Sequence, residues 1–198
     1  ISIYPGSGLE HHENGVNCIR AFTILSCLSG ALGLPCGMFR PEPLEIRELT
    51  LYDDLPLDDL RPIGADKFPV LYDIRRECHT MTAMDYMLGK GEYPLKGLII
   101  AAANPAVSNP NTRKVEKALA NLDLLVVNDF FMTRTARLAD YILPAATFLE
   151  REELHFYPTQ QLVNITRKVA RVEGVRNEYR VWHDLAHSLG FGESLFPW

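Results

Sequence analysis

The stretch LLVVNDFFMTRTARLADYILPAATFLE, residues 124–150, decides the fold. Leu124 to Val127 is an unbroken run of leucine and valine with no polar alternation, the pattern of a short, fully buried strand in a parallel sheet. Asn128-Asp129 ends that run. Parallel α/β sheets bind ligands in the crevice beyond the carboxyl ends of their strands, so Asp129 stands where a ligand's polar edge would arrive. A second acid, Asp140, precedes the next apolar run, Tyr141 to Leu143.

Upstream of this stretch, Leu98 to Ala103 predicts another strand, leading into the loop NPAVSNPN at 104–111. Asn109 is the expected cap of a helix whose first position is Pro110, with Val115, Ala118, Leu119 and Leu122 as one apolar stripe. Strand, loop, helix and strand within about 30 residues make a βαβ unit, hence a right-handed parallel crossover. Between the two acids a short helix is expected from about Thr133 to Ala139.

Towards the amino end the chain reads as a strand ISIY, a turn PGSG, a polar HHEN stretch and a helix from about Gly15 to Leu32. Val16, Ile19, Thr23, Leu25 and Leu28 follow helical spacing, and Gly30, Gly33 and Pro35 supply the stop. Arg40 to Pro69 is rich in proline and acid and has little periodicity, so it is expected to be a surface excursion lying against something else. A helix is predicted over Tyr72–Leu88 and another near Glu178–Leu189, where Val181, Leu185 and Leu189 share a face. The expected fold is α/β: a three-layer αβα sandwich around a mainly parallel, Rossmann-like sheet. Residues 1–198 read as a single nucleotide-binding domain with an irregular excursion at about 40–70.

Composition narrows the function classes. With 198 residues, 47% hydrophobic, the chain can bury a full-sized core. Its longest apolar stretches, such as Leu98 to Ala103, fall far short of the roughly 20 residues that cross a bilayer, so membrane insertion is not expected. A net charge of -5 without a Lys/Arg cluster argues against nucleic acid as partner. Cysteines 18, 27, 36 and 78 lack zinc or iron–sulfur spacing and read as buried, reduced thiols. The opening ISIY carries neither an initiator Met nor a signal-peptide pattern, which suggests an excised piece or a processed chain, in the cytoplasm or the periplasm.

Two loops, PGSG and NPAVSNPN, each lie between a strand and a helix amino terminus, where free N–H groups and the helix dipole favour phosphate. There is no G-x-x-x-x-G-K-[ST] and no G-x-G-x-x-G. Guanine presents N1–H and N2–H₂ side by side, and a carboxylate can accept both, which makes Asp129 and Asp140 candidate readers of that base. Thr133 is a candidate helix cap in the same turn. His183-Asp184-Leu185-Ala186-His187 puts two imidazoles at i and i+4, but Asp is too short for the Glu of H-E-x-x-H and no third ligand is evident, so no metal is assigned. Neither a Ser-His-Asp arrangement nor a G-x-S-x-G elbow is legible, and no catalytic residue is assigned.

Taken together, these strings resemble the molybdopterin oxidoreductases of the dimethyl sulfoxide reductase superfamily. Gly6-Ser7-Gly8, His12, Asn14-Gly15, Arg20-Ala21, Gly30, Gly33, Pro35 and Gly37 look like that family's G-x-G…H-x-N-G…R-A…G-x-x-G-x-P-G-G segment. Asn104-Pro105, Ser108 and Pro110 look like its N-P-x-x-S-x-P loop. Val126-Val127, Asp129, Thr133, Thr135-Ala136, Ala139-Asp140, Leu143-Pro144-Ala145 and Glu150 look like its V-V-x-D…T-x-T-A…A-D-x-x-L-P-A…E signature. The pattern departs at Cys36, where glycine is usual, and at Ala102-Ala103, where a glycine usually precedes Asn-Pro.

The resemblance implies molybdopterin guanine dinucleotide, with molybdenum or tungsten, as the cofactor of a longer enzyme. It further implies Gly6, Gly8, His12, Asn104, Pro105, Ser108, Asp129, Thr133 and Asp140 as cofactor-binding residues, and an iron–sulfur cluster in an amino-terminal part upstream. Partners would be the remaining domains of the same polypeptide and an iron–sulfur electron-transfer subunit. The segment alone is expected to be silent in redox assays, since no residue set here supplies a molybdenum ligand. The competing expectation is a non-catalytic dinucleotide-binding or interaction module.

Overall fold

The structure is a computed structural model and describes residues 6–34, 37, 61–157 and 162–196. The expected strand ISIY, and the excursion at 40–60, lie outside the described residues. The chain falls into two compact units: Ile1–Glu48 with Leu154–Ile165, and Leu49–Glu153 with Thr166–Trp198.

The first unit carries two helices, α1 (Ser7–Glu10) and α2 (Gly15–Leu28). α1, a single turn, falls where the sequence predicted only loop. α2 starts at Gly15, a position where a Cβ would clash with the Glu10 carbonyl oxygen. Its far end is a Schellman arrangement: Gly30 takes φ 68, and Ala31 N–H donates to the Ser26 carbonyl at 3.0 Å. The helix therefore stops at Leu28, one turn before the predicted Leu32. This part of the chain also holds most of a two-stranded sheet, β4 (Glu153–Tyr157) and β5 (Leu162–Thr166), which the sequence did not announce.

In the second unit the predicted helix Tyr72–Leu88 is two helices, α3 (Pro69–Arg75) and α4 (Thr80–Met87). The break is tertiary. Arg76 turns left-handed at φ 52, and His79 N–H donates to the Ile63 carbonyl at 2.8 Å while its ring packs 3.8 Å from that of Phe68. A helix continuing through 76–79 would forfeit the contacts of the buried turn at Ile63 to Ala65.

Strand β1 (Gly97–Ala101) leads through α5 (Pro105–Ser108) and α6 (Thr112–Leu119) to β2 (Leu124–Asp129), and β3 (Tyr141–Pro144) follows a short 3-10 helix, Ala136–Leu138. The strands form one parallel sheet in the order β1-β2-β3, with Ala101 opposite Asn128 and Asp129 opposite Pro144. The parallel α/β expectation holds. Asn111, at φ 57, caps α6 by accepting from Lys114 N–H, two residues later than the predicted Asn109. Asn109 is already used, since its N–H donates to the Pro105 carbonyl and closes α5.

Residues opposite one another in a parallel pair share a face, so Leu98, Ile100, Leu125 and Val127 point one way. That face is the core. Ile100, Leu125 and Val127 pack with Met84 and Met87 of α4 and with Val115, Ala118 and Leu119 of α6. Truncating one of these fully buried chains, such as Leu119→Ala, should cost about 2–5 kcal/mol. Two further helices, α7 (Glu178–Ser188) and α8 (Gly192–Leu195), end the unit. No helix among the described residues is long and apolar enough to cross a membrane.

Candidate functional site

The carboxyl edge of the sheet gathers the polar residues. Because Ala101 and Asn128 are register partners, the segments leaving β1 and β2 emerge side by side. Ala102 follows with φ 51, a left-handed backbone that a Cβ disfavours, and its N–H donates to the Asn128 carbonyl at 3.0 Å.

Asp129, the last residue of β2, accepts the Phe131 N–H on Oδ1 at 3.1 Å, an Asx turn that keeps the carboxylate at the strand end. Asn128 beside it is 4% exposed. Its Nδ2 donates to the Leu143 carbonyl at 3.0 Å, and since a carbonyl can only accept, the amide orientation is fixed. The remaining Asn128 Oδ1 is buried without a hydrogen-bond partner. Leaving such an acceptor unmet costs about 1–3 kcal/mol. The sequence singled out Asn128 as the end of the strand but gave it no role.

Asn104 turns inward. Its Oδ1 accepts from Thr135 Oγ1 at 2.7 Å and Thr135 N–H at 3.3 Å, and Thr135 Oγ1 in turn accepts the Ala106 N–H at 3.1 Å. Thr135, fully buried, is thus the clasp between the loop after β1 and the segment after β2. Thr135 is the second threonine of the T-x-T-A string, whose first, Thr133, is the candidate cap. Thr133 Oγ1 accepts the Ala136 N–H at 3.1 Å and caps the 3-10 turn.

The α5 amino terminus has little left for a phosphate. Pro105 has no N–H, Ala106 N–H is taken by Thr135, and the N–H groups of Val107 and Ser108 both donate to the Asn104 carbonyl at 2.9 Å. Ser108 Oγ donates to the same carbonyl at 3.1 Å. The N–H groups of Ala103 and Asn104, just before the helix, stand outside this network.

Asp140 is the correction. Its Oδ2 accepts the Leu125 N–H at 2.7 Å and its own N–H donates to the Leu125 carbonyl at 2.9 Å. Leu125 lies four residues before Asp129, and at about 3.3 Å per residue the two acids are on the order of 13 Å apart, at opposite ends of the sheet. They do not converge on one base; Asp140 ties β3 to β2.

In the first unit, Gly6 precedes α1 and Gly8 lies within it, and a Cβ at either would meet nothing within 4 Å. His12 follows α1, and its Nδ1 accepts the Asn14 N–H at 3.2 Å, leaving the proton on Nε2.

Two cavities in the second unit adjoin chemistry-bearing residues. One of about 410 Å³ is bordered by Cys78, Met84, Ile99, Ala103, Pro105 and Ser108, against the outer edge of β1. The other, about 610 Å³, has Arg151, Arg176 and Asp184 in its wall, but these are engaged: Arg151 with Glu153 at 2.9 Å and Arg176 with Asp184 at 3.5 Å. Asp184 also accepts from His183 Nδ1 at 3.1 Å, which holds its carboxyl below the usual range. The rings of His183 and His187 are 4.3 Å apart, and among the described residues no group of three or more His, Cys, Asp or Glu could hold a metal ion.

A parallel sheet flanked by helices, with Asn128 and Asp129 at its carboxyl edge, makes this an α/β protein. The chain belongs to the molybdopterin oxidoreductase family, whose family model matches residues 2–188. It is 40% identical over 202 residues to the alpha subunit of an F420-dependent formate dehydrogenase of Methanocaldococcus jannaschii, covering 98% of this chain and 30% of that protein. To the assimilatory nitrate reductase catalytic subunit of Bacillus subtilis it is 26% identical over 210 residues, covering 96% of this chain and 28% of the other. The fold matches that of acetylene hydratase from Pelobacter acetylenicus with a TM-score of 0.83 at 24% identity, over 100% of this chain and 31% of that one. The chain thus spans about a third or less of the length of these relatives.

Proposed function

We propose that this chain is the molybdopterin guanine dinucleotide-binding domain of a molybdenum or tungsten oxidoreductase catalytic subunit, and that it holds the guanosine diphosphate part of the cofactor. One observation carries the reading: the Asp129 carboxylate held at the carboxyl end of β2 by the Phe131 N–H. A carboxylate has two acceptor oxygens, and guanine offers N1–H and N2–H₂ as adjacent donors, so this acid and that base are complementary. The N–H groups of Ala103 and Asn104 suit the adjoining diphosphate, with Pro105 and Ser108 shaping the loop and the Asn104–Thr135 clasp holding it to the next segment. Thr133 Oγ1 holds the first N–H of the 3-10 turn that follows. Gly6, Gly8 and His12 are assigned to the cofactor by family resemblance.

The metal–pterin group supplies the redox chemistry when bound, and this chain's part is to bind and orient its nucleotide end. Upstream and downstream domains of a longer polypeptide, an iron–sulfur cluster in its amino-terminal part and an iron–sulfur partner subunit complete the reading. The chain alone would then be inactive in redox assays. The test is calorimetric binding of GDP and ADP to this chain: GDP should bind more tightly, and Asp129→Ala should abolish the preference. Equal affinity for the two nucleotides would return Asp129 to an ordinary turn residue.

A further inference from the structure

We propose that Phe130 and Phe131 are the stacking wall of this same site, taking the flat face of the base whose edge Asp129 reads. The inference rests on the nucleotide reading above and adds a base-tolerant element to it. Phe130, Phe131 and Met132 are 53%, 75% and 57% exposed, three consecutive large apolar side chains in water directly after the carboxylate. Exposed apolar side chains occur elsewhere on the chain, Leu28 and Val169 among them, but these three adjoin a strand-end carboxylate.

Geometry favours a planar one. The two rings are 6.4 Å apart and nearly perpendicular, at 89°, so a flat ligand lying against one ring meets the other edge-on. Phe131 is tied to Asp129 through its own N–H, which keeps the aromatic segment and the carboxylate in one turn. An apolar protein surface covering the phenylalanines would desolvate the Asp129 carboxylate beside them and leave it the Phe131 N–H as a single donor, which does not offset the desolvation of a charge. A purine covers the rings and brings its own N–H groups to the acid.

The two roles leave different signatures. Every base has a π face, so stacking does not discriminate between bases, whereas the carboxylate does. The experiment is titration of the chain with GDP and with ADP in four forms: native, Phe130→Ala, Phe131→Leu and Asp129→Ala. Both residues are exposed, so the substitutions should leave the thermal midpoint near that of the native chain. At least one phenylalanine variant is expected to weaken GDP and ADP alike, roughly tenfold for the loss of one aromatic platform, with the GDP/ADP ratio unchanged. Phe131→Leu keeps apolar bulk and removes the π face, so a site that only needs covering would tolerate it. Native affinity for both nucleotides in both phenylalanine variants, with Asp129→Ala still abolishing the guanine preference, overturns the stacking wall and leaves the nucleotide reading intact. A native chain that binds neither nucleotide overturns both.

Discussion

Asn128 and Ala102 each hold an unfavourable state at the same strand edge. The first keeps a buried acceptor unpaired, and the second keeps a Cβ in the left-handed region. Backbone strain tends to persist where the surroundings over-determine it, and here the Ala102 N–H is bound to the Asn128 carbonyl. Ala102 stands where the family pattern usually has glycine. A left-handed residue with a Cβ costs about 1–2 kcal/mol, and glycine adds back part of that in unfolded-state entropy, so Ala102→Gly should stabilise the chain by up to about 1 kcal/mol. Chemical denaturation would check this; a lowered midpoint would mean that the Ala102 methyl packs better than its backbone suffers. At the neighbouring carboxylate, Asp129→Ala should cost on the order of 2–3 kcal/mol of guanine nucleotide binding, because two N–H donors lose a charged acceptor. Asp129→Asn keeps the size but turns one acceptor into a donor, and should bind GDP less well than Asp129→Ala wherever water can fill the space.

Among the elements, β3 depends on Asp140. Its charged hydrogen bond to the Leu125 N–H joins the start of β3 to β2, so Asp140→Ala should destabilise folding by about 1–3 kcal/mol and leave the ratio of GDP to ADP affinity unchanged. A loss of guanine preference would contradict the separation of the two acids. That separation was legible in the sequence: when two strands run parallel, an acid after one and an acid before the next lie at opposite edges. The hydrophobic runs announced β1, β2 and β3, but not that only one face of the sheet is covered: Leu124, in the run read as fully buried, is 42% exposed, as is Ile99 of β1. The break between α3 and α4 was hidden, since Tyr72 to Leu88 reads as one helix until the buried turn at Ile63 pulls His79 out of it. β4 and β5 were missed because each is only five residues long, so the alternation of Val163 and Ile165 with Asn164 and Thr166 is too brief to mark a strand by pattern alone.

The packing of α4 against α6 has its own titration. Lys114 Nζ donates to Asp85 Oδ2 at 2.8 Å and to the Met81 carbonyl at 3.3 Å, and the lysine holds the Asp85 carboxyl below its ordinary value of 3.8. A depressed carboxyl gives its stabilisation in full above the unfolded value and loses it as pH falls through the folded one. Thermal stability of the native chain should therefore drop below pH 3.8 more steeply than that of Asp85→Asn, whose neutral-pH loss should stay within about 1 kcal/mol for a partly exposed pair. Parallel acid limbs for the two proteins would show that the pair contributes nothing.

For the molecule as a whole, the sequence disclosed the family and the sheet edge, while the particular atoms at that edge depended on three-dimensional register. Asn128 is the case in point: only the Leu143 carbonyl opposite it reveals which half of its amide is left over. The central claim, a guanine nucleotide at the carboxyl edge of β1 and β2, is tested most directly by two-dimensional amide NMR of the chain titrated with GDP. The account predicts the largest shifts at Ala103, Asn104, Asn128, Asp129 and Phe131, with Leu125 and Asp140 at the far edge unmoved. Shifts centred on Leu125 and Asp140, or none at the carboxyl edge at saturating GDP, would contradict it.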